Sequence, residues 1–191
     1  MPRLFTALEL PFEIRQSLAM LRGGLPGARW IDPENYHITL RFIGDIDDAV
    51  ARDIAETLDH ISRRGFDLRI DGLSAFGSRK PRAVIATVQP IPALIELQAE
   101  QERRLRRVGL EPDGRKFTPH VTLARLRESS NLQVADYLSG HGAFRSLPFH
   151  AGRFVLLSSR ASVGGGPYVM EAEYPLGEAR PAGAAFADHR I

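Results

Sequence analysis

The hydrophobic positions of this chain switch repeatedly between a period of two and a period near 3.6, and the switches divide it into elements. Residues 3–9 alternate and predict a strand. Pro11 then suits the first turn of a helix carrying Ile14, Leu18 and Leu21 on one stripe, closed by Gly23-Gly24. Residues 36–43 predict a second strand, broken by Gly44-Asp45. Val50, Ile54, Leu58 and Ile61 mark a second helix. Residues 66–76 and 82–89 predict two strands around the turn-like Gly77-Ser78-Arg79-Lys80-Pro81. A third helix starts near Pro92 and runs to Val108, with Gly109 as its stop signal. Residues 118–126 predict a strand, 131–139 a short helix, and 147–158 and 168–175 two further strands. Gly164-Gly165-Gly166-Pro167 between them predicts a flexible turn, because a phosphate-binding loop would need a strand before it and a helix after it. Strands and helices mix without strict βαβ alternation, which predicts an α+β fold of mostly antiparallel sheet.

Within this pattern one tetrapeptide occurs twice, His37-Ile38-Thr39-Leu40 and His120-Val121-Thr122-Leu123. Both copies sit in predicted strands downstream of a helix, which suggests an old duplication into two similar lobes. No further repeat accompanies the motif. Side chains alternate faces along a strand. The histidine and threonine of each copy therefore share one face, and Ile38/Leu40 and Val121/Leu123 share the other. If the fold brings the two strands together, two imidazoles and two hydroxyls converge.

Composition narrows the chemistry. The chain has 191 residues, 43% hydrophobic and 25% charged, with a formal net charge of +2. These values fit one soluble domain or two closely packed lobes. The basic excess is arginine, since lysine occurs only at Lys80 and Lys116. Arginine is the better bidentate phosphate ligand, although a chain-wide bias equally suits a GC-rich genome. There are no cysteines, so thiolate catalysis, disulfides and cysteine-bound zinc are excluded. Glu9 interrupts the N-terminal apolar stretch too early for a signal peptide, and no apolar run approaches the ~20 residues of a membrane span. The expected location is the cytoplasm. Arg103, Arg104, Arg106 and Arg107 crowd the end of the third helix, where cations suit the helix dipole. They read as a solvated helix end rather than an RNA patch.

Two histidines on opposite sides of a phosphodiester can divide acid–base work. Unperturbed imidazole titrates near 6.5, so one can be neutral and take a proton from water while the other is charged and donates one to the leaving oxygen. Thr39 and Thr122 can each donate a hydrogen bond to a non-bridging oxygen. A metal site is the chemical rival. It needs about three or more ligands, and neither motif brings a carboxylate onto its own face, Asp45 and Asp47 lying past the strand end. The other histidines are weaker candidates. His60 falls on the second helix, His141 in a Gly-flanked loop and His189 in the tail. His150, at a strand start, could border the site.

Asn35-Tyr36-His37-Ile38-Thr39-Leu40-Arg41-Phe42-Ile43-Gly44 and Phe117-Thr118-Pro119-His120-Val121-Thr122-Leu123-Ala124-Arg125 resemble the paired motifs of the two-histidine phosphoesterase superfamily. Within it they are most similar to the RNA 2′,3′-cyclic phosphodiesterase (2′-5′ RNA ligase) family. Arg3-Leu4-Phe5-Thr6-Ala7 with Leu10-Pro11, and Ser158-Ser159-Arg160 with Tyr168, extend the likeness over residues 3–176. The resemblance implies a bilobal α+β fold: two similar lobes with helices outside and the site in the cleft between them. The expected boundaries are one bilobal unit over 1–176 and a frayed tail over 177–191. It implies metal-free and cofactor-free hydrolysis of RNA 2′,3′-cyclic phosphate ends to 2′-phosphomonoesters, with 2′-5′ ligation in reverse. His37 would be the proton donor and His120 the proton acceptor. The implied partner is an RNA terminus, tRNA fragments among them, met by a monomer.

Arg125 matches a basic position of the family that would contact phosphate. Simple alternation puts it opposite His120, so a bulge or the strand end must re-aim it. Arg41 shares His37's face and is a weaker electrostatic candidate, whereas Phe42 alternates toward the core and reads as packing. Phe5 and Tyr168 could stack a base or ribose, or simply pack. Two alternatives to RNA hydrolysis stand beside it: a phosphodiesterase for a small cyclic phosphate such as a nucleotide or ADP-ribose derivative, and a non-catalytic RNA-end binder.

Overall fold

The computed structural model describes residues 3–77, 79–159 and 166–177. The tail beyond 177, with His189, and Arg160, Gly164 and Gly165 lie outside the described residues, as does Ser78. The chain runs through β1 (Arg3–Glu9), α1 (Phe12–Ala19), β2 (Ala28–Trp30), a 3-10 turn at Pro33–Asn35, β3 (His37–Asp45), α2 (Asp48–Asp59), β4 (Phe66–Leu68), β5 (Ile70–Phe76) and β6 (Ala83–Val88). It continues through α3 (Pro92–Arg107), β7 (His120–Leu126), α4 (Asn131–His141), β8 (Phe149–Ala151), β9 (Arg153–Ser159) and β10 (Tyr168–Pro175). The α+β class expected from the mixed periods holds, and every strand pairing is antiparallel.

The main sheet has the order β10-β9-β1-β3-β7-β6-β5, with β2 alongside β7. Its two halves meet at the β3–β7 seam, where Ile38 opposite Val121 is the one registered pair. β10, β9, β1 and β3 make one lobe, and β7, β6, β5 and β2 the other. The halves of the chain do not coincide with these lobes. β2, from the first half, pairs with β7, and β9, from the second half, pairs with β1. The short β4 and β8, which interrupt the predicted strands 66–76 and 147–158, form a separate two-stranded sheet.

Helices cover the outer face. α2 and α3 pack together behind the first lobe, α2 touching β10 and α3 touching β3. On α3, Leu94, Leu97, Gln101 and Leu105 form the buried stripe. Gln101 accepts a hydrogen bond from buried Thr6 Oγ1 at 2.6 Å. α4 packs on β5, and Tyr137 Oη donates to Leu21 O at 2.6 Å just past α1. Asp47 caps α2 by accepting from the backbone N–H groups of Ala49 and Val50 at 3.0 and 2.9 Å, which satisfies donors the helix itself cannot pair. Ser130 and Gln133 form a capping box on α4. α4 continues to His141, so that histidine is helical rather than in a loop; it stacks on Tyr137 at 4.4 Å. β3 likewise runs through Gly44 to Asp45, which pairs with Arg3. Gly44 absorbs an irregular step of the ladder at φ +95°, so it bends the strand rather than ending it.

Candidate active site

Ile38 and Val121 are fully buried where the two motif strands touch. Antiparallel register about this pair sets His37 across from Thr122 and Thr39 across from His120. The two copies are thus related by a local two-fold axis through the seam, with all four polar side chains on the face away from the helices. His37, Thr39, His120, Thr122 and Arg125 line one small cavity of about 150 Å³, together with Phe5, Phe42, Asn35 and Tyr168.

Each histidine is oriented the same way. His37 Nδ1 donates to Asn35 O at 2.8 Å, and His120 Nδ1 donates to Thr118 O at 2.7 Å. A carbonyl can only accept, so Nδ1 carries the proton in both and Nε2 is left for the cleft. Local sequence makes these contacts. Pro33 opens the 3-10 turn that ends at Asn35, and Pro119 holds Thr118 extended. Neutral His37 Nε2 accepts from Thr39 Oγ1 at 3.0 Å. Phe5 and Tyr168 flank the His37 ring, both at 5.1 Å, and Phe76 meets His120 edge-on at 4.7 Å. Phe5 and Tyr168 therefore buttress the imidazole.

Burial pushes the His37 imidazole down to about 4; the Asn35 carbonyl opposes the shift, and His120 and Arg125 add to it. Burial also lowers His120, against the pull of the Thr118 carbonyl. Both rings are neutral in the free protein near pH 7.

Arg125 reaches the cavity through a β-bulge. In the β6–β7 ladder Ile85 opposes Thr122 and Val84 opposes Ala124, leaving Leu123 as an extra residue. Leu123 and Ala124 consequently both face the core, and the next residue returns to the histidine side. β3 repeats the device. Ala7 opposes Thr39 and Thr6 opposes Arg41, so Leu40 is extra and Leu40 and Arg41 both turn inward. Two expectations from strict alternation are corrected by this step. Arg41 is only 7% exposed and is held by Glu102, Phe42 O and Glu111 O, away from the cleft. Phe42 is 48% exposed and lines the cavity at the position equivalent to Arg125. Arg3, Asn35, Ser159 and Phe76 also border the two histidines. Arg3, Asn35 and Ser159 fall in the segments that carry the family resemblance, without a role of their own there, and Phe76 lies outside them.

Of the other histidines, His60 caps α2 through Glu56 O, and His150 pairs with Asp67 at 2.8 Å on the rim of a cavity next to His37. Among the described residues no group of three or more His, Asp or Glu side chains is arranged to hold a metal ion. No helix of the described residues is long and apolar enough to cross a membrane.

Comparison with known proteins agrees with this geometry. The family model described as LigT like phosphoesterase matches residues 8–86 and again 85–168, one stretch around each motif. The chain is 38% identical over 121 residues to an RNA 2′,3′-cyclic phosphodiesterase of Aeropyrum pernix, a match spanning 62% of this chain and 67% of the relative. It is 29% identical over 154 residues to one of Aquifex aeolicus, spanning 78% and 82%. The crystal structure of E. coli LigT complexed with 3′-AMP superposes with a TM-score of 0.73 at 27% identity, covering 92% of this chain and 99% of that one. With a match that takes in both motif strands and nearly all of the sheet, the chain belongs to the LigT-like phosphoesterase family.

Proposed function

We propose that this enzyme hydrolyses RNA 2′,3′-cyclic phosphate ends to 2′-phosphomonoesters by two-histidine acid–base catalysis that needs no metal. The observation that carries the reading is the pair of Nε2 atoms presented from two-fold-related strands to one cavity containing Arg125. Water attacks phosphorus from the His120 side, and His120 Nε2 takes its proton. The P–O3′ bond breaks on the opposite side, and His37 Nε2–H gives its proton to O3′. The 2′-ester bond stays intact. Each such transfer contributes on the order of 10²–10⁴ in rate. Thr39 and Thr122 donate to the non-bridging oxygens, and Arg125 offsets the charge that grows there.

His37 must acquire a proton for this role, and the substrate's own negative charge favours that. A cyclic phosphate beside the ring opposes the desolvation that keeps it neutral. With a 5′-hydroxyl in place of water as the nucleophile, the same steps would join it to the phosphate through a 2′-5′ linkage as the P–O3′ bond breaks. The enzyme acts as a cytoplasmic monomer, and tRNA fragments are among the ends it would meet. The relatives named above and the nucleotide in the E. coli structure support this substrate class. The test is turnover of a short RNA ending in a cyclic phosphate by wild type, His37→Ala and His120→Ala. Wild-type activity with a fall of 10²-fold or more in each variant, at unchanged circular dichroism, is expected. Full activity in either variant overturns the assignment.

A further inference from the structure

The central cavity, at about 150 Å³, falls short of the ~300–1,000 Å³ usual for a pocket that encloses a ligand of nucleoside size. It has room for the cyclic phosphate, so the nucleoside must extend into a flanking cavity. Two such cavities open from it. One, of about 320 Å³, lies on the His120 side beside Phe42 and Phe76. The other, of about 640 Å³, lies on the His37 side and shares Asn35, His37 and Tyr168 with the centre. With the roles proposed above, the leaving O3′ is at His37, and O3′ belongs to the ribose. The nucleoside and the strand leading to it therefore run into the larger cavity, while the smaller one faces the incoming water.

The larger cavity is about twice the lower end of that range, and its wall holds an unused donor. Arg15, on the second turn of α1, lines it. Its Nε is buried and has no hydrogen-bond partner among the described residues. A buried donor without an acceptor is costly, and an anionic oxygen is what it lacks. The second arginine in the wall, Arg153, is already engaged by Glu9 and Glu173. Phe12, 61% exposed at the start of α1, offers an apolar surface at the rim.

We infer that the cavity beside His37 is a subsite for the nucleotide preceding the cyclic end, with Arg15 binding the phosphodiester that joins the two. This rests on the proposed function and narrows it: the enzyme selects oligonucleotide ends over cyclic mononucleotides. The test compares kcat/KM on adenosine 2′,3′-cyclic phosphate and on a diadenylate carrying the same cyclic end, for wild type and Arg15→Met. Methionine keeps the apolar stem and removes the charge and donors. Wild type should favour the dinucleotide by about tenfold or more. Arg15→Met should lose that advantage, mainly through KM, with its rate on the mononucleotide unchanged. Equal turnover of both substrates by wild type, an undiminished preference in Arg15→Met, or parallel loss on both substrates would overturn the subsite and leave the hydrolytic reading intact. Turnover of neither substrate by wild type would overturn both.

Discussion

Two arginines, one residue off in strand phase, show how completely position decides role. Arg41 is buried and tied to Glu102 and two backbone carbonyls. Its removal leaves the half-buried Glu102 carboxylate and two backbone carbonyls without their donor, so Arg41→Ala should destabilise by about 1–3 kcal/mol in urea melts. Arg125 is exposed to the cleft. Arg125→Ala should leave the urea midpoint nearly unchanged and cut kcat/KM about 10–100-fold. The histidines carry a pH signature as well. In the free enzyme His37, the proposed donor, is pushed down to about 4 and His120, the proposed acceptor, below its ordinary value. Protonated donor and neutral acceptor coexist only as a minor form, and kcat/KM should follow a bell with its maximum below pH 6.5, its two limbs belonging to the pair. Saturating substrate should move the kcat profile to higher pH. Stability responds in the same window. Because His37 falls from 6.5 in the unfolded chain to about 4 in the folded one, the unfolded state binds more protons between these values. Stability is therefore full above 6.5 and lost as pH falls toward 4, by about 3 kcal/mol from this residue. His37→Gln should show that much less acid sensitivity.

At the scale of elements, the long periodic segments were legible in the sequence and the irregular ones were not. Ile14/Leu18 and Ile54/Leu58 turned inward as their spacing required. The two histidine–threonine pairs share a face as period two demands. The failed prediction with most consequence for the site was the phase beyond the motif. Leu40 and Leu123 each insert one residue into the ladder, and no residue preference distinguishes a bulging leucine from a paired one. That single step exchanged the expected roles of Arg41 and Phe42, and re-aimed Arg125. β2, β4 and β8 have three residues each, too few to show a period. His141 was misplaced because Gly140 and Gly142 suggested a loop, while the helix carries through the first and ends at the second. Away from the cleft, the caps make separable contributions. Asp47→Ala should cost about 1 kcal/mol of stability and leave turnover unchanged, as equilibrium unfolding and a rate assay would show.

The whole molecule is two exchanged halves built around one seam. Each motif strand comes from its own half, but β2 and β5 cross to the β7 lobe and β9 and β10 to the β3 lobe. Residues 3–77 alone would leave β1 without β9, β5 without β6 and β3 without β7. That fragment should give a poorly dispersed NMR spectrum, and a well-dispersed one would show that the exchange is not needed for folding. The exchange locks both lobes against the seam and so holds two histidines, 83 residues apart in the chain, over one phosphate-sized cavity. The duplication was visible in the sequence as two tetrapeptides; the strand exchange was not, because pairing partners leave no local trace. The most direct test of the account is incubation with a short RNA ending in a 2′,3′-cyclic phosphate, with chelator present, and identification of the product isomer. The account predicts complete conversion to the 2′-phosphate and 3′-hydroxyl. A 3′-phosphate product, or activity that returns only when a divalent metal is restored, would contradict it.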